Sequence, residues 1–174
     1  MGRTIPDVVK NYTSSKIAAL VYGSNNKWLF DGTYTLEEAM YMFFCEVKNL
    51  FQGSMFDVVF ISTIFPRGED IDMRGRCVRD VVAFNDCLLS EKTRTDIRYQ
   101  LTIRDGHGKD RTLRWVPVDM TTVIPYDEVY QNQTKFFCKR RCDFIHVNAE
   151  YIEKYYHLLD ECIQKYKRLR RKRR

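Results

Sequence analysis

One short segment near the carboxyl end pairs an acid with a histidine. Asp143 and His146 stand three residues apart in Asp-Phe-Ile-His-Val-Asn, just before an amphipathic stretch that begins at Ala149. A histidine near neutral pH can act as a general base, and a neighbouring acid can hold the surrounding backbone. The same spacing also suits a helix cap followed by a surface imidazole. Both interpretations stay open on these residues alone.

Two other segments have residue types that could belong to the same site. Gly23-Ser24-Asn25-Asn26 follows directly on the apolar run 17–21. Residues 57–65 form a second apolar run, which ends in Pro66-Arg67. In this order the three segments resemble the later blocks of the SGNH/GDSL hydrolase family. That family has a strand ending in G-x-N-D, a helix, a strand ending near Pro-Arg, and a D-x-x-H-x-N segment before its last helix.

The resemblance extends from about residue 16 to residue 159 and implies specific roles. Asp143 and His146 would match the acid and the base of a catalytic triad, and Asn25 the asparagine of the oxyanion hole. Asn25 could instead only close the loop after its strand by side-chain hydrogen bonding. Asn26 departs from the pattern, since the family usually has aspartate there.

The nucleophile of that family has no counterpart in this chain. Its G-D-S block lies well upstream of the G-x-N-D block, but only 22 residues precede Gly23, and they contain no G-D-S. None of the six serines is a good replacement, although Ser24 lies in the right loop. The sequence therefore predicts a catalytically incomplete domain that is not an active esterase. The alternative is the C-terminal part of a serine esterase or acetylhydrolase whose nucleophile block is supplied by another segment or chain.

The apolar patterns around these segments predict a β-α-β unit. Residues 17–22 are typical of a short buried strand. Residues 36–51 carry apolar side chains at a helical period behind Thr35, a suitable N-cap, with two acids in the first turn. Residues 57–65 are apolar and β-branched almost throughout, as in a parallel strand covered on both faces.

The rest of the chain predicts further helices and a β-hairpin. Residues 77–89 have a helical pattern, and residues 96–104 and 111–118 alternate in part around the loop 105–110. The hairpin is either an insertion, or residues 114–118 are themselves the last core strand. Residues 126–138 are expected to be a polar connection, and a final helix is expected from Ala149 to about residue 167. The predicted fold class is α/β: a three-layer, flavodoxin-like, mostly parallel sheet with helices on both faces and an inserted β-hairpin.

Charge is concentrated at one end of the chain. Residues 165–174 contain eight basic side chains and no acid, whereas the other 164 residues carry 21 basic and 23 acidic side chains, a net charge near −2. This pattern predicts an appended element that binds RNA or DNA, directs the protein to the nucleus, or only improves solubility. The residues concerned are Lys165, Lys167, Arg168, Arg170, Arg171, Lys172, Arg173 and Arg174.

These patterns also define the expected organisation of the chain. We expect an N-terminal extension (1–15), one SGNH-like α/β domain (16–164) and a basic tail (165–174). No run of eighteen apolar residues and no secretory leader is present, so an intracellular protein of the cytoplasm or nucleus is expected, without a membrane partner. The six cysteines lack a second pair at zinc-ligand spacing, and no metal or other cofactor is predicted. A protein partner could complete the sheet.

Overall fold

The computed structural model of the chain describes residues 16–21, 33–64, 76–131, 133–137 and 147–172. Within these ranges the protein is an α/β fold built on a four-stranded, mostly parallel open sheet, which confirms the predicted class at this level. The elements follow one another as β1 (Ile17–Leu20), α1 (Leu36–Phe51), β2 (Val58–Ser62), α2 (Arg76–Leu89), α3 (Glu91–Thr95), β3 (Leu101–Arg104), β4 (Asp110–Val118), α4 (Tyr126–Gln131), α5 (Gln133–Phe136) and α6 (Ala149–Lys172).

The sheet order is β1-β2-β4-β3, with β2 parallel to both of its neighbours. β4 has two roles along its length. Its first residues pair antiparallel with β3, from Asp110 opposite Arg104 to Leu113 opposite Leu101. Its second half, from Arg114 to Val118, pairs parallel with β2. Residues 114–118 therefore form a core strand, one of the two alternatives that the sequence left open.

All five residues of β2 are buried. Because successive side chains of a strand point to opposite sides, both faces of β2 are therefore covered. Val59 and Ile61 belong to a core with α1 and α2, in which Phe43 packs edge-on against Phe84. Val58 and Phe60 belong to a second core on the opposite face, with side chains of α6 and of the segment around α4 and α5. The continuous apolar run of β2 is thus explained by helices on both sides of the sheet.

The helix α1 has the bounds that the sequence predicts. Its N-cap is Thr35, whose hydroxyl accepts a hydrogen bond from the Glu38 backbone N–H at 3.3 Å, while the Glu38 carboxylate accepts from the Thr35 backbone N–H at 2.8 Å. This reciprocal pair satisfies two backbone donors that would otherwise lack partners at a helix start. Hydrogen bonds that the Thr35 backbone N–H and the Thr35 hydroxyl donate to the Glu38 carboxylate hold the pKa of Glu38 below its usual value.

Three predictions about the secondary structure are wrong. Residues 97–99 form a 3₁₀ turn capped by Asp96, so β3 begins only at Leu101. The expected polar connection contains α4 and α5, and its Val129, Phe136 and Phe137 are buried core residues. The last helix continues to Lys172, about one turn beyond its expected end, so the described part of the basic tail is helical. None of the described helices is long and apolar enough to cross a membrane.

Candidate functional site

The parallel strands end together at one edge of the sheet. The pairing sets Leu20 of β1 beside Ile61 of β2, and Ser62 of β2 beside Val118 of β4. We call this side, where the three parallel strands have their C-terminal ends, the carboxyl edge. In open α/β sheets, ligands bind in the crevice outside this edge. β1, which precedes the predicted Asn25 loop in the sequence, ends at this edge.

The last helix begins at the carboxyl edge as well. The Tyr155 hydroxyl, near the start of α6, lies 2.6 Å from Ser62 Oγ at the end of β2. Further along, Tyr166 packs edge-on against Phe60, and Arg170 reaches Asp57, the residue before β2. The helix therefore runs antiparallel to β2, which brings its N-terminus to the carboxyl edge.

Asn148, the last residue of the D-x-x-H-x-N segment, fixes the start of α6. Its Oδ1 accepts a hydrogen bond from the Tyr151 backbone N–H at 3.2 Å, as an N-cap does, and its Nδ2 donates to the Lys135 carbonyl at 2.6 Å. The neighbouring Val147 pairs with Phe137 in an isolated antiparallel bridge. Asn148, two residues after His146, is thus held by α5 and α6 together.

The predicted catalytic residues themselves, Asn25, Asp143 and His146, lie outside the described residues, as do Arg173 and Arg174 of the basic tail. Their roles remain predictions. What the described part does bring together at the carboxyl edge is the end of each flanking element: β1 before the Asn25 loop, β2 before Pro66-Arg67, and the start of α6 after His146.

The exit of β2 is held by a buried polar network that the sequence patterns do not predict. Asn85 of α2 is almost fully buried and binds Ile64 twice: its Oδ1 accepts from the backbone N–H at 2.8 Å, and its Nδ2 donates to the carbonyl at 2.6 Å. Asn85 Nδ2 also donates to the Tyr126 hydroxyl, which donates in turn to the same carbonyl at 3.2 Å. Burial raises the pKa of Tyr126 to about 12. A lone amide on the apolar face of a predicted helix was the signal available in the sequence.

Two more polar contacts join the strand ends. Met120 N–H donates to Thr63 Oγ1 at 2.8 Å, which ties the residue after β2 to the segment after β4. Ser62 Oγ is buried against the Tyr155 hydroxyl, whose pKa is raised by burial. Both interactions position the edge and leave no accessible nucleophile at the end of β2.

The described serines do not form a catalytic pair. Ser62 is paired with Tyr155, Ser90 Oγ caps α3 by accepting from Lys92 N–H at 3.2 Å, and Ser54 Oγ is buried without a hydrogen-bond partner. None of these three is hydrogen-bonded to a histidine. In the same part of the chain, no group of three or more histidine, cysteine, aspartate and glutamate side chains is arranged to hold a metal ion.

The basic residues at the C-terminal end of α6 lie at the opposite end of the sheet, which we call the amino edge. The six basic side chains between residues 165 and 172 are all exposed: Lys165, Lys167, Arg168, Arg170, Arg171 and Lys172. Arg170 makes a long ion pair of 3.9 Å with Asp57. Placing cations in the last turn also stabilises the helix, because its C-terminus carries a partial negative charge.

Comparison with known proteins adds no family to this geometry. No family model matches the chain, and neither the curated proteins nor the solved structures that were searched contain a match.

Proposed function

We propose that this chain is a catalytically incomplete SGNH hydrolase-like domain of flavodoxin-like architecture. It would serve as a binding module whose basic α6 end contacts nucleic acid; nuclear targeting is the other use of the same charges. The observation that carries the fold-level part is the convergence of β1, β2, β4 and the start of α6 at the carboxyl edge. The three motif segments flank these element ends in the order that the resemblance requires.

Loss of catalysis is supported by what the described serines do. A triad needs a hydroxyl within hydrogen-bond reach of its base and exposed to substrate. Ser62, which lies at the carboxyl edge among the described serines, is 1% exposed and is already paired with Tyr155. Without an attacking oxygen, an acid, a base and an oxyanion donor would give only residual catalysis.

The test of this point is ester hydrolysis. Purified chain incubated with short p-nitrophenyl esters should release p-nitrophenol at the rate of buffer alone. His146→Ala should leave that rate unchanged, and exposed His157→Ala serves as the matched histidine control. Turnover that disappears in His146→Ala and persists in His157→Ala would show that the chain is an active hydrolase.

Nucleic-acid binding is supported by the density of exposed charge on the end of α6. Six basic side chains lie within eight residues, whereas residues 1–164 have a net charge near −2. The end of α6 should therefore provide most of the attraction to phosphate. Each phosphate neutralised on duplex DNA contributes about −0.9 to the slope of log affinity against log salt. Because some of the charges stay solvated, we expect a slope of roughly −3 to −6 for the full chain.

Deleting residues 167–174 should flatten this slope and abolish binding at physiological salt. Fluorescence anisotropy of a labelled oligonucleotide, titrated with full-length and truncated protein at several salt concentrations, measures both quantities. Binding by the truncated protein that equals binding by the full chain would assign the nucleic-acid surface to the α/β body instead.

One observation also favours a second candidate, the C-terminal part of a serine esterase whose nucleophile comes from elsewhere. The helix α6 starts at the edge where the parallel strands end, and an active site would need both. In that case Asn25 and His146 must flank one reacting carbon. An experimental structure with these side chains more than about 12 Å apart would exclude the candidate, because oxyanion donor and base act on the same centre.

A further inference from the structure

We propose that the nucleic-acid surface is composite: Arg114 at the amino edge of the sheet binds phosphates of one duplex together with the outer face of the end of α6. This inference deepens the proposed nucleic-acid binding and rests on it. It differs from an appended tail because the charges would be held in a fixed arrangement by the fold.

Asp57 is the point at which the helix end and the sheet edge meet. Its backbone N–H donates to the Lys16 carbonyl at 2.9 Å, and its carbonyl accepts from Arg114 N–H at 3.1 Å. Its carboxylate binds Arg111 at 3.3 Å and Arg170 at 3.9 Å. Arg111 and Arg170 thus pair with the carboxylate, and Arg114 is bonded to the backbone of the same residue, so three basic residues meet at one acid.

Arg114 lies on the face of the sheet that α6 covers. Side chains two residues apart along a strand point to the same face. Val116 and Val118 pack in the core beneath α6, so Arg114 belongs to that face, at the amino end of the parallel part of β4. Arg114 is exposed, and its pairing with Asp57 uses only the backbone N–H. Its guanidinium can therefore take a phosphate.

The helix presents a defined set of charges to solvent. Tyr166 packs on Phe60, and Arg170, four residues later, reaches Asp57, which defines the face of α6 that lies toward the sheet. At about 100° per residue, Arg168, Arg171 and Lys172 lie on the opposite face. Arg171 and Lys172 both lie about one turn beyond Arg168, and all three are held by a helix that the core anchors.

The buried stripe of α6 argues against a membrane surface. A helix that lies on a bilayer inserts its apolar face into the lipid. In α6 that face is used inside the protein, where Tyr155 and Leu159 are buried and Tyr166 is partly buried. The outer face near the C-terminus is charged, and Leu169 is the exposed large apolar side chain among residues 165–172. A rigid row of arginine and lysine suits the regular phosphates of a duplex.

The experiment measures duplex DNA binding by fluorescence anisotropy across roughly 0.05–0.3 M salt. The variants are Arg114→Gln and Arg168→Gln, with Lys92→Gln as a control that removes an exposed lysine of α3. Arg114→Lys retains the charge and controls for packing. Circular dichroism and the melting temperature check that each variant is folded.

Arg114→Gln should weaken binding about five- to tenfold at 0.1 M salt and make the slope shallower by about 0.9, as Arg168→Gln should. Lys92→Gln should change affinity less than about twofold, and Arg114→Lys should stay near the full chain. If Arg168→Gln weakens binding while Arg114→Gln has no effect, the composite surface is overturned and the helix-only site stands. If the full chain does not bind duplex DNA at all, both proposals fail. Binding to anionic vesicles that matches binding to DNA would assign the surface to a membrane and overturn the inference.

Discussion

Asn85 and Ile64 form a two-point hydrogen-bonded ring, in which one side-chain amide satisfies both backbone groups of the residue that leaves the central strand. The two bonds are 2.8 and 2.6 Å long, and Asn85 is only 1% exposed. The ring attaches α2 to the exit of β2, one residue before Phe65-Pro66-Arg67. Because that exit lies at the carboxyl edge, Asn85 positions the Ile64 backbone at this edge.

We predict that Asn85→Ala lowers the free energy of unfolding by about 2–4 kcal/mol. The variant leaves the Ile64 N–H and carbonyl buried with fewer partners, and each unsatisfied buried group costs roughly 1–3 kcal/mol. Urea denaturation monitored by circular dichroism measures the loss. Asn49→Ala, in the exposed part of α1, is the matched control and should change stability by less than about 0.5 kcal/mol. Equal losses in the two variants would show that the ring contributes nothing specific.

The Tyr126 hydroxyl should make the stability of the protein fall in alkali. Its pKa is raised to about 12 by burial, so the folded state retains a proton that the unfolded state releases near pH 10. The stability that the protonated Tyr126 hydroxyl contributes is fully present below pH 10 and is lost as the pH rises toward about 12. Two units of difference correspond to roughly 2–3 kcal/mol at full loss.

The measurement for this prediction is the unfolding free energy between about pH 8 and 11.5. Tyr126→Phe should be less stable near neutrality, since it loses its hydrogen bond to Ile64, but it should show a shallower decline above pH 10. Tyr156→Phe removes the hydroxyl of an exposed tyrosine and should retain the decline. A decline of the same steepness in Tyr126→Phe would assign the alkaline loss to other groups, such as Tyr155, whose pKa burial also raises.

Ser62 and Tyr155 should be energetically coupled. Ser62→Ala and Tyr155→Phe each leave one buried hydroxyl without its partner, which costs roughly 1–3 kcal/mol. The double variant removes both groups, so its loss should be smaller than the sum of the two single losses by about 1 kcal/mol. A double-mutant cycle from urea denaturation provides the four stabilities. Additive losses would contradict a direct hydroxyl pair.

The interactions in these predictions explain what sequence patterns could and could not supply. The period of apolar residues in 36–51 and the continuous run in 57–65 depend on local geometry, and α1 and β2 were predicted from them. Asn85 binds a residue 21 positions away, and Ser62 pairs with a residue 93 positions away, so neither partner could be identified without the fold. A mostly polar stretch separates Val129 from the adjacent Phe136 and Phe137, and the burial of all three depends on packing beneath α6. For the candidate site, the common edge of the flanking elements is visible, while Asn25, Asp143 and His146 stay predictions.

The end of α6 should divide sharply into a structural part and a binding part at Tyr166. In the core between the sheet and α6, Cys162, Ile163 and Tyr166 are partly buried. Every described side chain from Lys167 onward is exposed. Ending the chain after Tyr166 should therefore change the unfolding free energy by less than about 1 kcal/mol, since the exposed ion pair between Arg170 and Asp57 is worth little. Ending it after Glu161 also removes the three packed side chains and should cost about 2–4 kcal/mol. Urea denaturation of the two truncated proteins beside the full chain makes the comparison. A large loss of unfolding free energy in the chain that ends at Tyr166 would mean that the basic turns stabilise the fold. It would contradict the prediction that residues up to Tyr166 pack the core and residues after it bind phosphate.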